Sequence, residues 1–129
     1  MSKLKCQSFA LTTNASGDVT VNGEVGLSGA RIYAVDFVLG TLTSGAVDVT
    51  LSDVGGPGGV TKTLLTITNA AANAVYYPRT LVHSEAAAAL TGTAGGDRTQ
   101  YVVTGALRVV VAQGGNVLTG SLHVWYERD

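Results

Sequence analysis

Two histidines, one cysteine and nine Asp and Glu side chains are the groups in this 129-residue chain with the chemistry for catalysis or metal binding. A nucleophile needs a base within hydrogen-bond reach. Cys6 stands in the N-terminal segment with no histidine near it in sequence, so it reads as a small buried or simply free thiol. His83 and Glu85 are two apart, and His123 lies far along the chain. Zinc sites take three or four ligands, and with one Cys and two His any such site would lean on carboxylates. Both histidines therefore read as structural. Asp36 sits in an otherwise apolar run. It invites an active-site reading, but a core carboxylate paired with Arg31 or Arg108 is the stronger expectation.

Two short motifs touch known chemistry and fail on context. The run Gly55-Gly56-Pro57-Gly58-Gly59-Val60-Thr61-Lys62-Thr63 resembles a phosphate-binding loop. That motif needs glycine before its lysine, where Thr61 stands, and a helix N-terminus to cradle the phosphate, where a strand is expected. A hairpin loop is the better account. Asn14-Ala15-Ser16 matches a glycosylation acceptor, but MSKLKCQSF lacks the apolar core of a signal peptide, so the match carries no weight. No catalytic constellation, metal site or cofactor motif emerges, and the chain is expected to bind rather than catalyse.

The elements that would position these side chains are short strands separated by Gly- and Asn-containing turns. Asp18 to Val25 alternates valine with Asp, Thr, Asn and Glu, the period-2 signature of a half-buried strand. The turn at Ser16-Gly17 suggests pairing with an earlier strand around Gln7 to Thr13. Arg31 to Leu39 is apolar on both faces apart from Asp36, as a central strand or a partner-covered one would be. Strands follow near Val47 to Ser52, Lys62 to Thr68, Thr99 to Val103, Ala106 to Ala112 and Val117 to Glu127. In the last, Leu118, Leu122, Val124 and Tyr126 make a core row, which turns His123 and Trp125 outward or into an interface. Between Asn69 and Gly96 the pattern loosens, and Ala86 to Ala89 can make only a turn of helix.

The fold class predicted is all-β, an antiparallel β-sandwich of jelly-roll or Ig-like type with about eight strands. Residues 1–129 fit a single domain, with 1–6 a possible flexible N-terminal arm. The core should include Val19, Val21, Tyr33, Val35, Val49, Leu51, Leu65, Ile67, Val109, Val111, Leu122 and Val124.

Composition narrows the class of partner. Only 13% of residues are charged, against about 25% in ordinary soluble domains. With net charge −1 and no basic stripe, the footprint of a nucleic-acid binder is missing. Mean hydropathy is +0.29, high for a chain that must face water. The longest stretch without Asp, Glu, Lys or Arg, Val109 to Tyr126, is interrupted by Gln113-Gly114-Gly115-Asn116, which reads as a hairpin turn rather than part of a membrane span. With one cysteine, no internal disulfide is possible. Sparse charge suggests a surface that faces other protein.

The segment Val75-Tyr76-Tyr77-Pro78-Arg79-Thr80-Leu81-Val82-His83, followed by Ala89-Leu90-Thr91-Gly92-Thr93-Ala94-Gly95-Gly96-Asp97-Arg98, resembles the capsid decoration, or cement, proteins of tailed bacteriophages. The similarity extends to the strand Ala30 to Phe37, the valine-rich strand Leu107 to Ala112, Gln113 to Asn116 and the closing aromatic strand, from about Asp18 onward. The resemblance implies a β-sandwich bound to the outside of an icosahedral shell, commonly a trimer at three-fold positions, with the major capsid protein as partner. It also implies folding in the host bacterial cytoplasm and residence on the virion. Another small tail or head-fibre component would fit the same residues. A carbohydrate-binding sandwich, using Trp125, Tyr126 or Tyr101 as a sugar platform, is the alternative from another class.

The stretch from Asn69 to Arg98 is longer than an ordinary connection, and long ordered loops carry function on rigid scaffolds. The interface is therefore expected at Tyr76, Tyr77, Pro78, Arg79, His83 and Arg98, with Trp125, and with Arg79 paired to a carboxylate or backbone carbonyls there. Tyr and Arg are enriched in such contacts. A structural alternative is that the tyrosines cap the open end of the sandwich. The N-terminal segment, with Lys3 and Lys5, is the second docking candidate.

Overall fold

Strand pairing is nested like a single long hairpin. The computed structural model describes residues 3–23, 26–81 and 98–128, with 57 and 81 described by backbone alone. The outermost strands, β1 (Lys3–Thr12) and β10 (Thr119–Arg128), pair along their whole length. Inside them β2 (Val19–Asn22) pairs with β9 (Ala106–Ala112), β3 (Arg31–Val38) with β6 (Ala74–Tyr76), and β4 (Val47–Val54) with β5 (Lys62–Ala70). The long hairpin folds over so that β10 also pairs with β3, and β9 with β4.

Two antiparallel four-stranded sheets result: a first sheet ordered β1-β10-β3-β6 and a second ordered β2-β9-β4-β5. This is the jelly-roll order. An Ig-like sandwich would set the first two strands side by side in one sheet. A separate ribbon of β7 (Arg79–Leu81) and β8 (Arg98–Gln100) brings the total among the described residues to ten strands, where about eight were expected.

The topology corrects two local expectations. Ser16-Gly17 does not turn a hairpin, because β1 and β2 lie in different sheets; Gln113 to Asn116 likewise carries the chain from the second sheet to the first. A tight turn fixes the direction of the chain but not its partner. Asn14 still organises the first turn, its side-chain oxygen accepting the N–H groups of Ser16 and Asp18 at 2.9 and 3.0 Å. Residues 3–6, read as part of a possible arm, form the start of β1 opposite Trp125 to Arg128. The stretch after Asn69 holds β6 and β7 rather than irregular chain, while Ala86 to Ala89 lies outside the described residues.

The core forms where the inner rows of the two sheets meet. Phe9, Leu11, Val35, Phe37, Leu122 and Val124 from the first sheet pack against Val47, Val49, Leu51, Leu107, Val109 and Val111 from the second, all essentially buried. Each such side chain contributes about 1.5–3 kcal/mol by leaving water. Ile67 is buried as expected, and Val19 and Val21 are partly buried against the core.

Register shifts turn Tyr33 out of the expected core and add Leu64 to it, while Leu65 packs partly buried against it. On β3, Ile32 faces Tyr126 and Ala34 faces Trp125, so Tyr33 is an extra residue pushed outward by a β-bulge. Strict alternation fails there, and Ile32 is buried instead. On β5, Leu51 faces Leu65 and Ser52 faces Thr63, so Leu64 is the extra residue and takes the buried place.

The glycine-rich run is a loop between β4 and β5 with a 3-10 turn at Pro57–Gly59. Lys62 is held 3.3 Å from Asp53, which is fully buried. Burial alone would push the Asp53 carboxyl up. Hydrogen bonds from the Thr104 N–H and hydroxyl (2.8 and 2.9 Å), the Gly105 N–H (2.9 Å) and Lys62 outweigh that and hold it below the usual carboxylate range. Glycine is required at 105, because a Cβ there would run into the Val54 carbonyl oxygen and the Gly56 nitrogen.

Candidate functional site

Because side chains alternate across a strand, burying Leu122 and Val124 fixes where their neighbours on β10 point. Ser121, His123 and Trp125 rise from the outer face of the first sheet. By register they meet Ala10, Ser8 and Cys6 on β1, and Val38, Asp36 and Ala34 on β3. Val75 of β6 faces Asp36 on the far side. The bulge adds Tyr33, and Tyr77 follows β6.

The upper part of this face is polar and internally satisfied. His123 Nδ1 lies 2.8 Å from the Ser8 hydroxyl and Nε2 lies 3.1 Å from the Ser121 hydroxyl. A neutral imidazole donates through one nitrogen and accepts through the other, so the two serines take both positions. Cys6 is exposed, its sulfur 3.8 Å from the Ser8 hydroxyl.

The lower part is an open groove of about 340 Å³, walled by Leu4, Tyr33, Ala34, Val75, Tyr77 and Trp125 with Asp36 among them. Leu4 is 53% exposed, Tyr33 42%, Val75 54% and Tyr77 60%. The Tyr33 and Tyr77 rings stand edge to face, centroids 6.3 Å apart at 89°. The Trp125 indole N–H donates to Asp36 Oδ2 at 3.0 Å. Asp36 is thus a half-buried acid on the outer face, tied to an indole. The core ion pair expected with Arg31 or Arg108 does not form: Arg31 lies 4.0 Å from Glu127, and Arg108 donates to Asn22 at 3.0 Å. Asp36 falls on the solvent side because the core rows on either side of it, Val35 and Phe37, face inward.

The residues singled out from sequence divide between this groove and other places. Tyr77 and Trp125 share the groove. Tyr76, one residue along β6, packs partly buried against the core, and Pro78 is buried, so neither presents itself for contact. Arg79 does bind backbone carbonyls, but of its own chain. Its Nη1 donates to the carbonyls of Pro78, Tyr33 and Ile32 at 2.7, 3.1 and 3.5 Å, which satisfies the backbone loosened by the bulge. Arg98 is exposed on the ribbon, opposite Leu81. His83 and Glu85 lie outside the described residues. The sugar platform is not assembled as named, since Tyr101 and Tyr126 are partly buried against the core while Trp125 faces out.

Leu4 and Val75 were not among the expected contacts, and Tyr33 was expected in the core. Val75 and Tyr77 flank Tyr76 with strand periodicity, a readable signal. The outward turn of Tyr33 depends on a bulge that no residue type announces.

A second groove, of about 320 Å³, lies between the free edges of β1 and β2 and includes Gln7, Phe9, Val21 and Gly23 in its lining. The buried Gln7 Oε1 has no hydrogen-bond partner among the described residues.

Two solved structures of infectious bursal disease virus are similar to the chain. One is the structure of the Gx strain, with 13% identity and a TM-score of 0.38 over 97% of this chain and 32% of that one. The other is the crystal structure of the VP2 subviral particle, with 12% identity and a TM-score of 0.32 over 98% and 41%. The chain spans less than half the length of either. No protein-family model and no curated protein matches the sequence.

Proposed function

We propose that this chain is a structural virion protein, a decoration or cement protein that binds the outside of an icosahedral phage capsid as a trimer and acts by binding rather than catalysis. The observation that carries the reading is the exposed groove of Leu4, Tyr33, Val75, Tyr77 and Trp125 on one outer face of a jelly roll. Contiguous exposed apolar surface marks an interaction site, and aromatic side chains dominate the energetics of such sites. The architecture suits the role, because double-sheet jelly rolls recur in viral capsid proteins. The resemblance of the YYPR and LTGTAGGDR segments to phage decoration proteins and the sparse charge point the same way. In this reading the protein folds in the bacterial cytoplasm and then buries the groove against the major capsid protein or a neighbouring subunit.

The test pairs native mass spectrometry with co-sedimentation on phage heads stripped of decoration. A trimer that saturates the heads is expected, with a subunit interface of roughly 800 Å² per partner or more. Tyr77→Ala and Trp125→Ala should each weaken head binding by about 1–3 kcal/mol while folding normally. A monomer that ignores stripped heads overturns the reading.

A further inference from the structure

We infer that the groove on the first sheet receives a lysine or arginine side chain of the docking partner. The inference deepens the reading of this face as the docking face and rests on it.

Asp36 supplies the argument. It is the acidic side chain of the groove, and Trp125 occupies one of its oxygens, Oδ2. The other, Oδ1, accepts no hydrogen bond among the described residues. His123, its cross-strand neighbour, is committed to Ser8 and Ser121. Arg79, which follows Tyr77 closely in the chain, is committed to backbone carbonyls. While the groove is open, water solvates Oδ1. A partner that covered the groove with purely apolar surface would strand an ionised carboxylate, a costly outcome. Whatever closes over Asp36 must bring a hydrogen-bond donor, and a cationic donor also offsets the carboxylate's charge.

The walls suit that charge. Tyr33 and Tyr77 stand at right angles, and Trp125 is fixed by its bond to Asp36. Aromatic faces attract ammonium and guanidinium groups, more strongly once water is excluded. Leu4 and Val75 flank the opening, where the aliphatic stem of a lysine or arginine would lie.

The sign of one substitution decides the matter. Asp36→Asn keeps an oxygen for the Trp125 N–H and removes the charge. If the occupant is cationic, Asp36→Asn binds stripped heads at least tenfold more weakly than the parent. If it is apolar, the variant binds equally or more tightly, and the inference is overturned.

A second measurement is independent of heads. The full chain is titrated with the blocked peptide acetyl-Ala-Val-Lys-Val-Ala-amide and with its norleucine counterpart, followed by the emission of Trp125, the one tryptophan. A saturable response at least tenfold stronger for the lysine peptide, lost in Asp36→Asn and reduced in Tyr33→Leu, is expected. No saturable response, or equal responses to both peptides, overturns the inference. Failure of the parent to bind heads sinks the docking reading instead, and the peptide titration still judges the cation site.

Discussion

The outer face of the second sheet carries the cross-strand row Thr20, Val110, Thr50 and Thr66, and beside it Asn22, Arg108, Thr63 and a buried Ser52. Val110, 38% exposed, is the large apolar side chain in those rows. The outer face of the first sheet presents Leu4, Tyr33, Val75, Tyr77 and Trp125. Both faces belong to the same sandwich and cover the same core, so core formation does not explain the difference. Threonine satisfies strand propensity through its branched Cβ and satisfies water through its hydroxyl. A sheet face meant for solvent needs nothing more, whereas exposed leucine, valine and aromatic rings depart from that simple solution. The contrast is the one the proposed docking role requires, with solvent on the second sheet and a partner on the first.

Opposite faces of β10 offer the sharpest test of this division. Leu122→Ala should cost about 2–5 kcal/mol in urea unfolding, because its neighbours cannot close the cavity. Trp125→Ala, three residues away on the outer face, should cost far less stability. Comparable losses would mean that the aromatic face serves the fold rather than a partner.

The acids of the two sheets differ in the same way. Asp53 of the second sheet is buried with each of its bonds internal, so Asp53→Asn should cost about 1–3 kcal/mol at neutral pH. Asp36→Asn should change stability by no more than about 0.5 kcal/mol. Because folding depresses the Asp53 pKa, its ionised form stabilises the protein above the unfolded value of about 3.9. That contribution is lost as pH falls below this value through the folded one. The stability gap between parent and Asp53→Asn should therefore narrow on acidification, which urea midpoints measured from pH 7 down to 3 will show.

Arg79 tests how the aromatic face is held. Arg79→Ala removes the donor to the bulge carbonyls and should cost about 1.5 kcal/mol. It should also broaden the Tyr33 and Tyr77 ring signals in NMR spectra. If those signals stay unchanged, the bulge holds its shape without the arginine. The smallest effect is expected on the other side. Thr50→Ser and Thr66→Ser should move stability by no more than about 0.5 kcal/mol and leave head binding unaltered. A measurable loss of head binding would put a contact on the second sheet.

Much of the fold was legible in the residues, and the reason is periodicity. Alternation in β10 and β4 sorted Leu122, Val124, Val49 and Leu51 to the inside, and it turned His123 and Trp125 outward. Where a bulge broke the alternation, the same rule placed Tyr33 inside and missed Ile32 and Leu64. For the candidate site, Tyr77 and Trp125 were readable as aromatic residues off the core row. Tyr76 and Arg79 were read as contacts because residue type alone does not tell an interface from an internal clamp.

By itself the sequence determined that the chain would be strands, which residues would face inward within each, and that charge would be too sparse to define the binding surface. Only the tertiary structure decided that β1 pairs with β10 rather than β2. The chain reverses direction at Ser16-Gly17 under either arrangement, and the choice is made by which inner rows close the core together. That choice also sets Leu4, Asp36, Val75 and Trp125, far apart in sequence, on one face. Local alternation acts over two residues, whereas the groove exists only because four strands distant in the chain share a sheet.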